Sequence, residues 1–443
     1  MKFKKFGQIG LALVVSLGLC FGITSCSNNF TVAYLYVTGS QYNQIGGFNI
    51  LNNTGNLKAV SKSPFGSGGT DPVRAVVSTS GRFLYVLNEG APTTDASGNV
   101  TYKGANIAVF SIGGNGTLAF QQSYTSQGTN SFRLGFSSAG SFLYVLDEYT
   151  PQTNAAGDIV TASNVQSDAF PCPDPTTAGL WHPVGDLTAF SVDNNTGRLS
   201  LITNNQVQNP TTGAQLTTFP VGCYPIDQKI SAGYVFVADN GPEPVTGLTQ
   251  TIFEYALNSS TGQLTLTQNS ELVTTADKIS AINSDQASKY IYVLDTGGNQ
   301  IFYYTIGANG LLQAVTGSPT ANTATASNPI ALTSDSKTKF LYIANAGPSS
   351  GTTNPNSVIT GFTIAANGVL APIAGGTTPT GSGPQCVLED PSNQYIYTAD
   401  FVSSTVTGHV LDPNSGVLTD LRNSTSYATV GNPTWCVASG HTD

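Results

Sequence analysis

Charge is scarce in this chain of 443 residues: Lys, Arg, Asp and Glu together make up 9% of it, as 16 basic and 25 acidic residues. The formal net charge of −9 leaves no basic stripe for neutralising a phosphate backbone, which excludes nucleic acid as a partner. Methionine occurs once, as the initiator, and His only three times. His182, His409 and His441 are scattered and make a poor metal set. CxxC, HExxH, GxSxG and phosphate-loop patterns are all missing. No metal or cofactor is therefore expected. What is present is Gly, Thr, Ser and Asn, with a hydrophobic share of 40%. That is ample for a core and excludes a disordered chain.

The N-terminus reads as a leader. Lys2, Lys4 and Lys5 precede a mostly apolar run from Ile9 to Ile23 that is too short and Gly-bearing for a good membrane span. The tetrapeptide Ile23-Thr24-Ser25-Cys26 resembles a bacterial lipobox, in which the Cys is acylated and becomes the new N-terminus. The expected organisation is a signal peptide over 1–25, a lipidated Cys26 with a short tether over 26–32, and one domain over 33–443. A cell-envelope location with membrane attachment through the lipid follows, since stable anchoring needs more than one acyl chain.

A repeat dominates the remainder. The pattern apolar-apolar-Tyr-apolar recurs seven times, for example as Tyr34-Leu35-Tyr36-Val37, Phe83-Leu84-Tyr85-Val86, Phe142-Leu143-Tyr144-Val145 and Tyr395-Ile396-Tyr397-Thr398. Each copy leads to an alternating strand and then to an Asn-Gly or Thr-Gly turn such as Asn115-Gly116, Thr196-Gly197 or Asn309-Gly310. Those residues supply the positive φ that hairpin turns require. A short outer strand and a further apolar strand complete the unit. Lettering the strands a (inner) to d (outer), the first unit lacks strand a and an unpaired one remains over 434–439. This count predicts an all-β, seven-bladed propeller of four-stranded blades, closed by the C-terminal strand completing the first blade.

Units such as Ser80-Gly81-Arg82-Phe83-Leu84-Tyr85-Val86-Leu87-Asn88-Glu89 and Asn309-Gly310-Leu311-Leu312 resemble those of the lactonase family of seven-bladed propellers. The resemblance spans residues 30–443 and extends to propeller-type 6-phosphogluconolactonases and muconate-lactonizing enzymes. It implies lactone hydrolysis through Arg and Glu on inner strands, usually with His, in a pattern like Gly-Pro-Arg-His. This chain has Asp71-Pro72-Val73-Arg74 and then Asn88-Glu89, so the Arg is displaced by one position and the His is missing.

The long insertions sort to one face. Residues 90–105, 150–185, 241–250 and 347–356 are b-to-c connections, and 204–224 is mostly a d-to-a connection. All decorate the same end of the ring, the top, where binding usually resides. The chain enters the first strand b from the opposite end, so the bottom is expected to face the membrane.

Arg74 with Glu89, and Arg133 with Glu148, repeat at one separation in adjacent blades. Either each Arg neutralises the Glu of its own blade, or the Arg orients an anionic or lactone ligand while the Glu activates water. Trp181 and His182 in the longest insertion, with Asp147 and Asp239 among the polar residues that end strand b, are candidate ligand contacts. The polar ring as a whole is read as turn caps. Cys172 and Cys223 share the top face and are expected to pair. Cys386 and Cys436 sit one residue out of phase on neighbouring inner strands, and are expected to be buried thiols. The preferred reading is a surface binding protein for a small anionic molecule, glycan or protein at the top face. Lactone hydrolysis is the alternative, and a structural or adhesive role the third.

Overall fold

The computed structural model describes residues 30–94, 96, 100–150, 152–153, 159–160, 171–173, 179, 181–208, 213–241, 250–323, 326–348 and 356–440. The leader, Cys26 and His441 lie outside the described residues.

Seven antiparallel sheets follow one another along the chain, each with the order a-b-c-d. The second blade is representative: Pro72–Val77, Phe83–Asn88, Asn106–Ile112 and Leu118–Tyr124. The first is completed by Pro433–Gly440, which pairs with Thr31–Gly39 from Ala33↔Gly440 to Gly39↔Pro433. Both ends of the chain thus share one sheet, and neither leaves an open inner edge. In the first, third, fifth and seventh blades strand d is split into two short pieces that pair with the same strand c.

The tyrosine pattern is what joins one blade to the next. Strand b is buried on both faces, and its alternate residues point to opposite neighbours. In the first blade Leu35 and Val37 pack against the seventh, while Tyr34 and Tyr36 pack against the second. The tyrosine hydroxyls reach the neighbour's c-to-d turn. Tyr36, Tyr85, Tyr144, Tyr342 and Tyr397 donate to the carbonyls of Gly116, Gly197, Gly262, Gly416 and Gly55 respectively, at 2.5–2.9 Å. The aromatic ring two residues earlier packs against that turn. A Cβ at Gly262, which has φ +73°, would sit 2.6 Å from the Phe142 ring. The turn glycine is therefore required twice, by its backbone conformation and by the ring that covers it. The same contact runs around the ring to Tyr395 of the seventh blade on Gly55 of the first.

Each inner strand carries an irregularity near its top end. In the second blade the register shifts between Pro72 and Arg74, and equivalent shifts occur at Pro225/Asp227, Ile279/Ala281, Pro329/Ala331 and Pro384/Cys386. A bulge there re-aims the side chain that follows it.

Both cysteine pairs are bridged. Cys172 and Cys223 join the third-blade insertion to the following d-to-a connection, with Cα atoms 5.5 Å apart. Cys386 and Cys436 also form a disulfide, Cα–Cα 6.0 Å, which corrects the expectation of two thiols. A one-residue offset turns side chains apart only within one sheet. Between stacked blades the condition is the reverse: one side chain must leave the front of its sheet and the other the back of its own. Cys386 packs with Tyr395, Tyr397 and Ala399 of the seventh blade, and Cys436 with Leu35 and Val37 of the first, in one shared core.

Candidate functional site

All seven inner strands line a central cavity of about 1120 Å³. Near its top end Arg74, Arg133 and Asp227 meet. They occupy one repeat position in successive blades, opposite Leu87, Leu146 and Ala238. Arg74 Nη2 and Arg133 Nε both donate to Asp227 Oδ1 at 3.1 Å. Asp227 Oδ2 accepts the backbone N–H of Ile282 in the fifth blade at 3.2 Å. One carboxylate thus ties together four successive blades and holds two guanidinium groups.

Charge does not balance at this end. Lys229, two residues along the strand from Asp227, lines the same cavity and makes no ion pair among the described residues. Arg74 and Arg133 share the single Asp227 carboxylate, with Lys229 further along the same wall, in a protein that is acidic overall. Burial and the neighbouring Arg133 lower the Arg74 pKa, with Asp227 opposing them. Burial likewise lowers that of Lys229, against Asp227 and Asp285. Arg74 lies over the Trp435 ring with its Cζ 3.3 Å from the centroid. Arg133 also donates from Nη1 to the Phe132 carbonyl at 3.0 Å. The lower end of the cavity has the opposite character. Glu389 accepts the Ser336 N–H at 2.7 Å, and its pKa is raised to about 7 by burial, with Asp335 and Asp390 adding to the shift.

The expected pairing of Arg and Glu within one blade is not what the structure shows. The bulge turns Arg74 and Arg133 towards the axis and Asp227, whereas Glu89 lies just beyond the last inner-strand pair of its blade and Glu148 lies between the Ser131↔Asp147 and Thr129↔Tyr149 pairs of its own. Glu89 is anchored by its N–H to the Asp71 carbonyl at 2.9 Å. Its pKa rises to about 7 through burial, then Asp71 and Glu148, with Arg133 opposing. Glu148 accepts from Asn130 and, at 3.0 Å, from the Tyr149 hydroxyl. Two carboxyl groups therefore share the surroundings of Arg133 at the top of the second and third blades, and one is poised near neutrality.

The remaining candidates fall elsewhere. Asp147 and Asp239 are fully buried. Asp239 accepts the N–H groups of Tyr224 at 2.8 Å and Gly241 at 2.7 Å, so it caps the connections beside it. Asp147 accepts from Ser126, Ser131 and Thr188. Neither turns a free face to a ligand. His182 and Trp181 belong to a small hairpin, Pro171–Pro173 with Trp181–Pro183, outside the cavity lining. The His182 ring packs edge-on between Tyr149 and Tyr224, at centroid distances of 5.5 and 4.6 Å. Asp227, Lys229 and Trp435 were missed. Aligning the seven inner strands on their bulges would have found Asp227, because that column reads Arg74, Arg133, Asp227, Ala281, Ala331, Cys386, Trp435. Among the described residues no group of three or more His, Cys, Asp or Glu is placed to hold a metal ion.

A family model described as lactonase, seven-bladed β-propeller, matches residues 27–155 and 318–438, more than half of the chain. The chain belongs to this lactonase family. No curated protein sequence matches it. Among solved structures it is similar to the periplasmic gluconolactonase of Pseudomonas aeruginosa, at 15% identity and a TM-score of 0.64, covering 93% of this chain and 100% of that one. A candidate 6-phosphogluconolactonase from Bacteroides uniformis matches at 14% identity and TM-score 0.63, covering 92% and 100%. One from Bacteroides fragilis matches at 16% and 0.62, covering 94% and 99%. At these identities the likeness bears on the fold alone, and the lactonase membership rests on the family match.

Proposed function

We propose that the top of the central cavity binds a small carboxylate-bearing molecule of the sugar-acid and lactone class. The observation that carries this reading is the convergence of Arg74 and Arg133 on a single oxygen of Asp227, with Lys229, which makes no ion pair among the described residues, lining the same cavity. Asp227 engages one N–H of Arg74, a residue of the cavity lining, which leaves other donors of a five-donor group for a ligand. A ligand carboxylate can take these without displacing Asp227. Membership of the lactonase family supports the choice of class.

A second reading is favoured by Glu89. A carboxyl group held near pH 7 beside a guanidinium is suited to take a proton from water attacking a lactone carbonyl, with Arg133 stabilising the oxyanion. The ring-opened product is a hydroxy acid, the same class of anion that the first reading places in the cavity.

Both readings are tested on the soluble protein from residue 27 onward. Calorimetric titration with gluconate is expected to show binding that Arg133→Gln weakens at least tenfold. Hydrolysis of glucono-lactone is expected to rise with pH through about 7 and to fall a hundredfold or more in Glu89→Gln. Because Glu89→Gln leaves Arg74, Arg133 and Lys229 in place, its gluconate affinity should be retained. Binding without turnover removes only the enzymatic reading; turnover unaffected by Glu89→Gln would assign the base elsewhere.

A further inference from the structure

Asp147 and Asp186 face each other directly across strands b and c of the third blade, in register, and both are fully buried. Asp147 receives hydroxyl hydrogen bonds from Ser126 Oγ at 2.7 Å, Thr188 Oγ1 at 2.9 Å and Ser131 Oγ. Thr218 and Tyr255 are the other polar groups near Asp186. The Tyr255 hydroxyl is directed at the Pro220 carbonyl. No Lys, Arg or His makes an ion pair with either carboxyl among the described residues. Two buried carboxylates placed side by side in register without a cation cannot both be ionised at neutral pH.

The place of this pair in the chain gives it a consequence. Asp147 is the last residue before Glu148 and Tyr149, and Asp186 the first strand residue after the long connection over 150–185. The two acids stand at the neck of the largest insertion. We propose that Asp147 and Asp186 share one proton at neutral pH, with Asp186 as the donor, and that this bond clasps the base of the third-blade insertion until alkaline pH removes the proton. Asp147, which already accepts three hydroxyl hydrogen bonds, is the ionised member. Burial and the Asp147 charge raise the Asp186 pKa well above the usual carboxylate range, in keeping with this assignment.

The sign of the pH dependence follows. Between the unfolded carboxyl value near ~4 and the folded value of the pair, the native state binds more protons than the unfolded one. Stability therefore falls with rising pH across that window, by at most about tenfold in the unfolding constant per pH unit for one proton. Above the folded value the dependence ends, with both carboxylates charged and the clasp open.

Asp186→Asn supplies the test. Its amide N–H replaces the acid O–H as donor to Asp147 and needs no proton. Two results are expected: at pH 7 the infrared carbonyl band of protonated carboxylic acid is stronger in wild type than in the variant by one carboxyl group, above the share that Glu89 and Glu389 give to both, and the decline in stability between pH 5 and 8 is shallower in the variant by one proton. At pH 8 the variant should be the more stable protein in urea, and backbone amides of strands b and c in the third blade should exchange faster with rising pH only in wild type, after correction for intrinsic exchange. A wild-type band no stronger than that of the variant, or an Asp186→Asn protein less stable at pH 8 with an unchanged pH slope, would overturn the proposal. Asp147→Asn distinguishes a general packing defect, because it removes the three-hydroxyl acceptor and should destabilise at every pH.

Discussion

Replacing Asp227 with Ala should destabilise the propeller by about 3 kcal/mol, towards the lower end of the ~3–5 kcal/mol typical of breaking a buried ion pair. The reasons are geometric. The Asp227 side chain is 6% exposed, and the two arginines it holds retain 13% and 25% of their side-chain surface. Without the carboxylate, the two guanidinium groups lose their shared ion-pair partner, and the Ile282 N–H loses its acceptor. The partial exposure of Arg133 lets water screen some of this, which sets the lower end of the range. The loss should be specifically reversible. A small carboxylate such as acetate fits the space left by Ala and restores the missing charge, and an anion at a hundred times its Kd returns about 2.7 kcal/mol. Urea unfolding in chloride and in acetate at equal ionic strength measures this. An Asp227→Ala protein as stable as wild type, or one indifferent to acetate, would show that the carboxylate is not balancing the arginines.

The second large effect is expected at the closure. Cys386→Ser with Cys436→Ser should lower stability by up to about 4 kcal/mol, the chain-entropy value for a bridge spanning 50 residues. The bridge joins the inner strand of the seventh blade to the strand that completes the first, so it fixes the only blade assembled from both ends of the chain. The same strand carries Trp435 beneath Arg74 and donates from Thr434 Oγ1 to the Pro72 carbonyl at the head of the second blade. Loosening it should weaken the cationic site as well as the ring. Thermal unfolding of the double variant against wild type, with gluconate affinity measured in parallel, tests this. The fold remains closed by hydrogen bonds in the variant, so a folded but less stable protein is expected. An unchanged melting temperature would mean that strand pairing alone secures the closure.

Much of this architecture is legible in the residues. The seven apolar-apolar-Tyr-apolar units fix the blade count, and the leftover strand at 434–439 fixes the closure, because a repeat that begins without its first strand must borrow it from the end. The turn glycines are legible for a reason the pattern alone does not give: each lies under the aromatic ring of the preceding blade. The site is less legible. Arg74 and Arg133 stand out as rare charges at one repeat position, but their partner lies 153 and 94 residues further along. Only the curvature of the ring brings Asp227 within reach of both. The Cys386–Cys436 bridge was obscured by the same geometry, since parity within a sheet and parity between stacked sheets have opposite meanings. Asp147 drew attention as one of a ring of polar residues, whereas its particular chemistry comes from Asp186, which no spacing links to it.

The central claim is that the top of the cavity is an anion site built on Arg74 and Arg133, and the chain supplies its own reporter. It has two tryptophans, one of which, Trp435, lies against Arg74. In Trp181→Phe protein the remaining indole fluorescence reads that arginine directly. Titration with gluconate should give a saturable change whose midpoint weakens as salt is raised, and adding Arg133→Gln should abolish it or shift it at least tenfold. A flat titration, or one equally tight after Arg133→Gln, would contradict the assignment of this channel as the binding site.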